Sequence, residues 1–217
     1  MQQLQNKLPQ LDARLLTAAG YVRRGSCAAD IGCDHGKLSL HLASNGICKK
    51  VIACDMRQKP LAKARWAVSL YGLDELIECR LGDGLSVVSP SEADDIIIAG
   101  MSGVTISEII SAAPLFYTKG RRFILVPATK PELLRRFLFE NGFSIIAETP
   151  VEVSRYCYAV ICAEYTGEKR ESTAFEEYVG LCNDGSAATH KYFAKVLHRL
   201  EKQGDTALAA EVKACLI

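Results

Sequence analysis

The segment Asp30-Ile31-Gly32-Cys33-Asp34-His35-Gly36 holds the densest chemistry in the chain. Gly32 and Gly36 allow backbone conformations and close approaches that a Cβ blocks. Open α/β sheets bind ligands beyond the carboxyl ends of their strands, where a turn of this kind lies. The turn is not the dinucleotide fingerprint, which needs glycine where Asp30 and His35 stand and no acid in the turn. A carboxylate at Asp30 repels a pyrophosphate and attracts a cation. S-adenosylmethionine, with an ammonium, a sulfonium and no phosphate, is the cofactor that fits. Downstream, Asp55 can accept from both ribose hydroxyls, and Asp83 in Gly82-Asp83-Gly84 from an adenine amino group. Ala99-Gly100-Met101-Ser102-Gly103 then brings two glycines beside the expected methyl position. All four features in chain order favour a methyltransferase over glycine turns and helix caps. Cys33, Met56, Gly84, Gly100 and Met101 join Asp30, Gly32, Asp55 and Asp83 in the expected cofactor pocket.

These residues must be positioned by alternating elements. Strands are predicted at 27–31, 51–55, 77–81, 95–99, 123–126, 143–149 and 156–165, and helices at 37–45, 60–71, 105–112 and 131–141. Such alternation implies a parallel sheet covered by helices. The last two strands have no helix between them and read as an antiparallel pair closing one edge. Pro60 and Pro131 suit a first helical turn, and Gly72 and Gly142 suit helix C-termini. The expected fold is α/β: a Rossmann-like domain over residues 1–165, with a seven-stranded, mostly parallel sheet, then a small α-helical domain over 166–217. In that tail, helices are expected at 175–182, 186–203 and 206–216. Phe193, Val196, Leu197 and Leu200 form one apolar stripe beside a basic stripe of Lys191, Lys195, Arg199 and Lys202. A helical hairpin with a solvated charged side is the plain reading of that stripe.

The 217 residues are 49% hydrophobic and 24% charged, enough apolar material for a full core. Nine cysteines, irregularly spaced and without a Cys-x-x-Cys pair, speak against a disulfide framework or zinc site. The histidines form no metal set, and no metal is expected. Reduced thiols, the absence of a signal-like N-terminus and the lack of a membrane-length apolar run suggest a cytoplasmic protein with no membrane partner. Net charge is only +1, but cations cluster. Between Lys49 and Arg65 six basic residues, including Lys59, face the single Asp55; Lys7, Arg14, Arg23 and Arg24 form another group.

On these motifs the chain resembles the bacterial tRNA adenine N1-methyltransferases that modify adenine 22 of the D-arm. The resemblance rests on Arg14-Leu15, the Asp30…His35 turn, Arg80-Leu81-Gly82-Asp83-Gly84-Leu85, the Gly100-Met101-Ser102-Gly103 loop, Asn141-Gly142-Phe143 and the 152–158 region. Departures occur at Ser102, where glycine is favoured, and at Leu125-Val126-Pro127-Ala128, where the family favours Leu-Gln-Pro-Asn. The resemblance implies tRNA as partner, S-adenosylmethionine as cofactor, a monomer, and a helical C-terminal domain that assists tRNA binding. It adds Arg14 to the cofactor residues.

Methylation at N1 needs no strong base, because the lone pair is free; the protein must align N1 with the methyl and stabilise the cation that forms. Asp34 is the first candidate for that catalytic carboxylate, with His35 orienting the base or taking an N6 proton. Asp34 as a helix N-cap and His35 as a structural histidine are the competing readings. Ser102 and Pro127 are expected to contact the target base, and Lys59, Lys191 and Lys195 the RNA. Absence of an Asn/Asp-Pro-Pro-aromatic sequence after the fourth strand argues against methylation of an exocyclic amine. Another methyltransferase of this fold, acting on a different RNA or a small molecule, and a non-catalytic RNA-binding protein are the alternatives.

Overall fold

The computed structural model describes residues 8–215, so Lys7 of the N-terminal basic cluster and Leu216 of the last expected helix lie outside the described residues. The chain divides into two compact units, up to Ile98 and from Ala99.

The first unit is built on β1 (Ser26–Ile31), which pairs in parallel with β2 (Cys48–Asp55) on one side and β4 (Asp95–Ala99) on the other; β2 pairs in turn with β3 (Ile77–Leu81). Ala28, Ala29, Val51, Ala53 and Ile96–Ile98 are buried, the continuous apolar run of strands covered on both faces. α2 (Lys37–Ser44) and α3 (Gln58–Leu70) pack on these strands. β2 starts three residues before its expected start because Cys48-Lys49-Lys50 extends the ladder with exposed lysines, a polar stretch that hides a strand from hydrophobic patterning. Helix α1 (Ala13–Tyr21), capped by Asp12 through the Leu15 amide, was not expected. After it, Arg23 donates to the buried Asp95 from its backbone (2.8 Å) and its Nε (2.7 Å), which ties the entry of β1 to the start of β4.

In the second unit, α4 (Gly103–Ser111) leads to β5 (Arg122–Val126), α5 (Pro131–Glu140), β6 (Phe143–Val153) and β7 (Tyr156–Tyr165). β7 runs antiparallel to both β5 and β6, as expected of the last two strands. The sheet order is β3-β2-β1-β4-β5-β7-β6, a seven-stranded, mostly parallel α/β architecture. β6 runs on past its expected end at residue 149, through Pro150. As the outermost strand it has one neighbour, so a residue without an N–H is tolerated there.

Helices α6 (Ala174–Val179), α7 (Ala187–Gln203) and α8 (Thr206–Ala214) complete this unit. α6 stops short of the expected 182 because Gly180 takes a left-handed φ of 62°. The charged side of α7 is solvent-facing, as the plain reading has it, but cations on it are also paired within the chain. Lys191 pairs with Glu152 at 2.6 Å, Lys195 donates to the Cys157 carbonyl at 2.7 Å, and Arg199 grips Glu132 through two bonds. A separate network centres on Arg135, which is completely buried. It donates to Glu148 through Nε (2.9 Å) and Nη2, to the Tyr192 hydroxyl at 2.8 Å, and to the carbonyls of Glu177 and Tyr178. Glu148 also accepts from the Leu181 amide at 2.9 Å. A Cβ on Gly180 would sit 2.1 Å from Glu148 Oε2, so this glycine is required by contact as well as by φ.

Removing one partner of a buried ion pair strands the other, at about 3–5 kcal/mol. Arg135→Met and Glu148→Leu should each destabilise by roughly that amount. The double variant should lose less than the sum of the singles by more than about 1 kcal/mol. Urea denaturation of all four proteins measures the cycle; strict additivity would show that the pair is not coupled.

Candidate active site

In the first unit the parallel register sets the ends of β1 and β2 side by side, with Asp30 opposite Ala53 and Ile31 opposite Cys54. The turn that follows β1 is strapped to β2: the amides of Gly32 and Cys33 both donate to the Cys54 carbonyl at 2.8 Å. Gly32, Asp34 and Gly36 all have positive φ (73°, 51° and 70°), so the chain reverses within five residues. At Gly36 a Cβ would also press on Ala64 of α3 at 3.1 Å.

Asp30 is buried and accepts a 2.6 Å bond from the Ser39 hydroxyl on α2. Burial pushes its carboxyl up from 3.8 to about 6, against the Ser39 bonds and with a small further push from Asp55. Asp55, equally buried, accepts from the Asp34 amide (3.1 Å) and from the Arg57 amide (2.8 Å) and Nε (3.4 Å). Arg57 Nη2 reaches Asp34 Oδ1 at 3.4 Å, and His35 Nδ1 lies 3.6 Å from Asp34 Oδ2. The Asp34 side chain is 57% exposed at the tip of the turn. It does not cap α2, whose N-cap is Gly36, so the capping alternative falls away. Cys33 is buried, and burial holds its thiol well above the ordinary range.

Asp83 is exposed on the loop after β3, and its carbonyl accepts the Ser86 hydroxyl at 2.6 Å; Gly84 has φ 54°. Arg80 braces this loop, donating to the Val87 carbonyl and to both oxygens of Glu92 at 2.7–2.8 Å. Met56 and Lys59 are exposed beyond β2, and Arg14 pairs with Asp12 at the start of α1. Three supporting residues escaped the sequence reading: Ser39, Arg57 and the bracing role of Arg80. Only the rotation of α2 and the path of the loops bring them to these carboxylates, and no spacing rule carries that information.

The second unit holds the other candidates. Gly100 (φ 82°) donates to the Val126 carbonyl, the Met101 carbonyl accepts from the Ala128 amide at 2.7 Å, and the Gly103 amide donates to the Thr129 carbonyl at 2.7 Å. These bonds zip the loop after β4 to the loop after β5, where Pro127 is buried. Ser102 caps α4 by accepting from the Thr105 amide at 3.1 Å. Lys191 and Lys195 lie on α7 with the intramolecular partners described above.

A buried acid with a raised pKa weakens the fold as it ionises. In the free protein the stability linked to Asp30 is full below pH 3.8 and is lost as pH rises through about 6. Asp30→Asn should therefore gain on the parent by about 1–2 kcal/mol between pH 5 and pH 8. Urea unfolding at the two pH values checks this; a constant difference would place the Asp30 carboxylate in a solvated environment.

Residues 11–161 match the methyltransferase domain family. The tRNA (adenine(22)-N(1))-methyltransferase of Bacillus subtilis is 36% identical over 155 residues, a stretch covering 71% of this chain and 65% of that protein's length. The structure of B. subtilis TrmK, an m1A22 tRNA methyltransferase, is similar with a TM-score of 0.85 at 29% identity, covering 97% of this chain and 100% of that one. Sp1610 of Streptococcus pneumoniae, solved in complex with S-adenosyl-L-methionine, gives a TM-score of 0.87 at 27% identity and covers 96% of this chain and 100% of that one. With its buried acids at the ends of β1 and β2 and a match that spans both of those strands, this chain belongs to the methyltransferase domain family.

Proposed function

We propose that this chain transfers a methyl group from S-adenosyl-L-methionine to N1 of adenine 22 in tRNA. The observation that carries the reading is the buried Asp30 carboxylate at the β1 turn beside Asp55, two acceptors suited to a cationic amino acid and a ribose. The likeness to the B. subtilis enzyme supports the substrate. In this reading Asp30 receives the ammonium, Asp55 the ribose hydroxyls and Asp83 the adenine amino group. Gly32, Gly84 and Gly100 admit close backbone approach, and Cys33, Met56, Met101 and Arg14 line the rest. When bound, the cofactor supplies an electrophilic methyl on a sulfonium. Asp34 faces the positive charge that develops on the methylated ring, and His35 orients the base or accepts an N6 proton. Exposure of the Asp34 carboxylate leaves it open to a substrate, and the Arg57 guanidinium lies 3.4 Å from its Oδ1.

Ser102 and Pro127 are assigned to the target base, and Lys59, Lys191 and Lys195 to RNA phosphates. For the two α7 lysines, contact with RNA means exchanging Glu152 and the Cys157 carbonyl for phosphate. Residues 1–165 are read as the catalytic domain and 166–217 as a helical domain that assists tRNA binding, in a cytoplasmic monomer. N1 lies on the Watson–Crick edge, so a paired target must be exposed before it reacts.

Incubation with unmodified bacterial tRNA and labelled S-adenosylmethionine, followed by mapping of reverse-transcription stops, tests the reading. Label transfer with a stop at adenine 22 is expected; a stop elsewhere overturns the site, and no transfer overturns the activity. Asp30→Ala should abolish cofactor binding in calorimetry. Asp34→Asn should keep that binding and slow transfer by about 100-fold or more, the usual yield of one positioned charge. An unchanged rate would remove Asp34 from the chemistry.

A further inference from the structure

α3 carries an outward stripe that no part of the proposed pocket uses. Lys59, Lys63, Trp66 and Leu70 follow at intervals of four, three and four residues, which puts them on one face of the helix, and all four are exposed. Trp66 is the chain's single tryptophan and is 68% exposed. An indole left in water beside cations is costly unless it meets a partner, since tryptophan is among the most buried side chains on average. Its surroundings select the partner's charge. α3 contains no acidic residue, and Arg57 precedes it. The one acid between Lys49 and Arg65, Asp55, is buried and already bonded. Neither Lys59 nor Lys63 has a hydrogen bond or ion pair among the described residues. The next acid along the chain, Asp74, is engaged by the Ser69 hydroxyl at 2.6 Å. An apolar protein partner would not favour two unpaired lysines in line with the indole. A polyanion with exposed ring faces fits both features, because its phosphates meet the lysines while a base stacks on the indole.

We infer that the outer face of α3 is an RNA-docking strip, with Trp66 as a stacking platform for an unpaired base and Lys59 and Lys63 as phosphate contacts. The inference rests on the reading that the substrate is tRNA and extends it to a contact surface beyond the pocket. The strip starts four residues after Asp55, so RNA held on it approaches the cofactor end of β2.

The single tryptophan makes the test direct. Adding an unmodified tRNA transcript should quench the intrinsic emission, with a midpoint matching that from anisotropy of labelled tRNA. Trp66→Ala should weaken tRNA binding about tenfold and Trp66→Phe should restore most of it, as expected of one base stack. Replacing Lys59 and Lys63 by glutamine should lower the slope of log affinity against log salt by about 1.4–1.8. Cofactor affinity by calorimetry should not change in Trp66→Ala. Absent quenching together with parental tRNA affinity of Trp66→Ala overturns the strip, even if the enzyme methylates tRNA normally. Emission that shifts with protein concentration alone, with a dimer in sedimentation that Trp66→Ala removes, overturns it in favour of self-association. Quenching and weakened binding of Trp66→Ala without any methyl transfer would leave the strip standing and remove the proposed activity.

Discussion

The site depends on one constraint: parallel strands in register end at the same level. Asp30 and Asp55 are 25 residues apart, yet the pairing of Ile31 with Cys54 sets their strand ends next to each other. The Cys54 carbonyl then receives two amides of the turn, and the Asp55 carboxylate receives a third. Backbone donors of the β1 turn are satisfied by β2, so the turn can hold the left-handed conformations at Gly32, Asp34 and Gly36 without leaving buried groups unpaired. Once that is done, Asp30 has nowhere to go but inward. Its carboxylate is kept by Ser39 alone, through the hydroxyl and the backbone amide, and the protein tolerates a desolvated acid that costs stability near neutral pH. A buried acid with a single neutral partner is a poor structural device and a good receptor for a cation.

The second unit answers a different requirement. Its strands β5, β7 and β6 form an antiparallel end whose outer layer is completed by the C-terminal helices. Arg135 joins α5, β6, the end of α6 and α7 through one guanidinium with five recorded bonds. The basic stripe of α7, which looks like an RNA-facing surface in sequence, is largely spent on Glu152, Glu132 and a strand carbonyl. By contrast Lys59 and Lys63 of α3 have no ion pair or hydrogen bond among the described residues. Near-neutral net charge therefore conceals an uneven distribution, in which many acids are consumed inside the protein and the free cations gather on a few faces.

The alternation of apolar runs, the turn glycines and the acids at strand ends were legible in the sequence because each is a local signal. The apolar run Val51–Cys54 ahead of Asp55 is read without knowing its neighbours. So were the left-handed Gly72 and Gly142 and the antiparallel final hairpin. What escaped was non-local or polar. The lysine-bearing start of β2 carries no hydrophobic pattern, and Pro150 is admissible only because β6 turns out to be the edge. Helix α1 is the exception, since its Asp12 cap and the helical spacing of Leu15, Ala18, Ala19 and Val22 are local signals that went unused.

Taken alone, the sequence determined the fold class and the order of the strands along the chain, since residue type and spacing decide where apolar runs and turns fall. Tertiary structure decided which side chains serve the acids of the site. Ser39 holds Asp30, Arg57 bridges Asp34 and Asp55, and Arg135 binds the tail helices to the sheet edge. It also decided which lysines remain free. Pairing depends on the rotation of each helix about its axis and on strand register, quantities set by packing across the whole molecule and not written in any one stretch of chain.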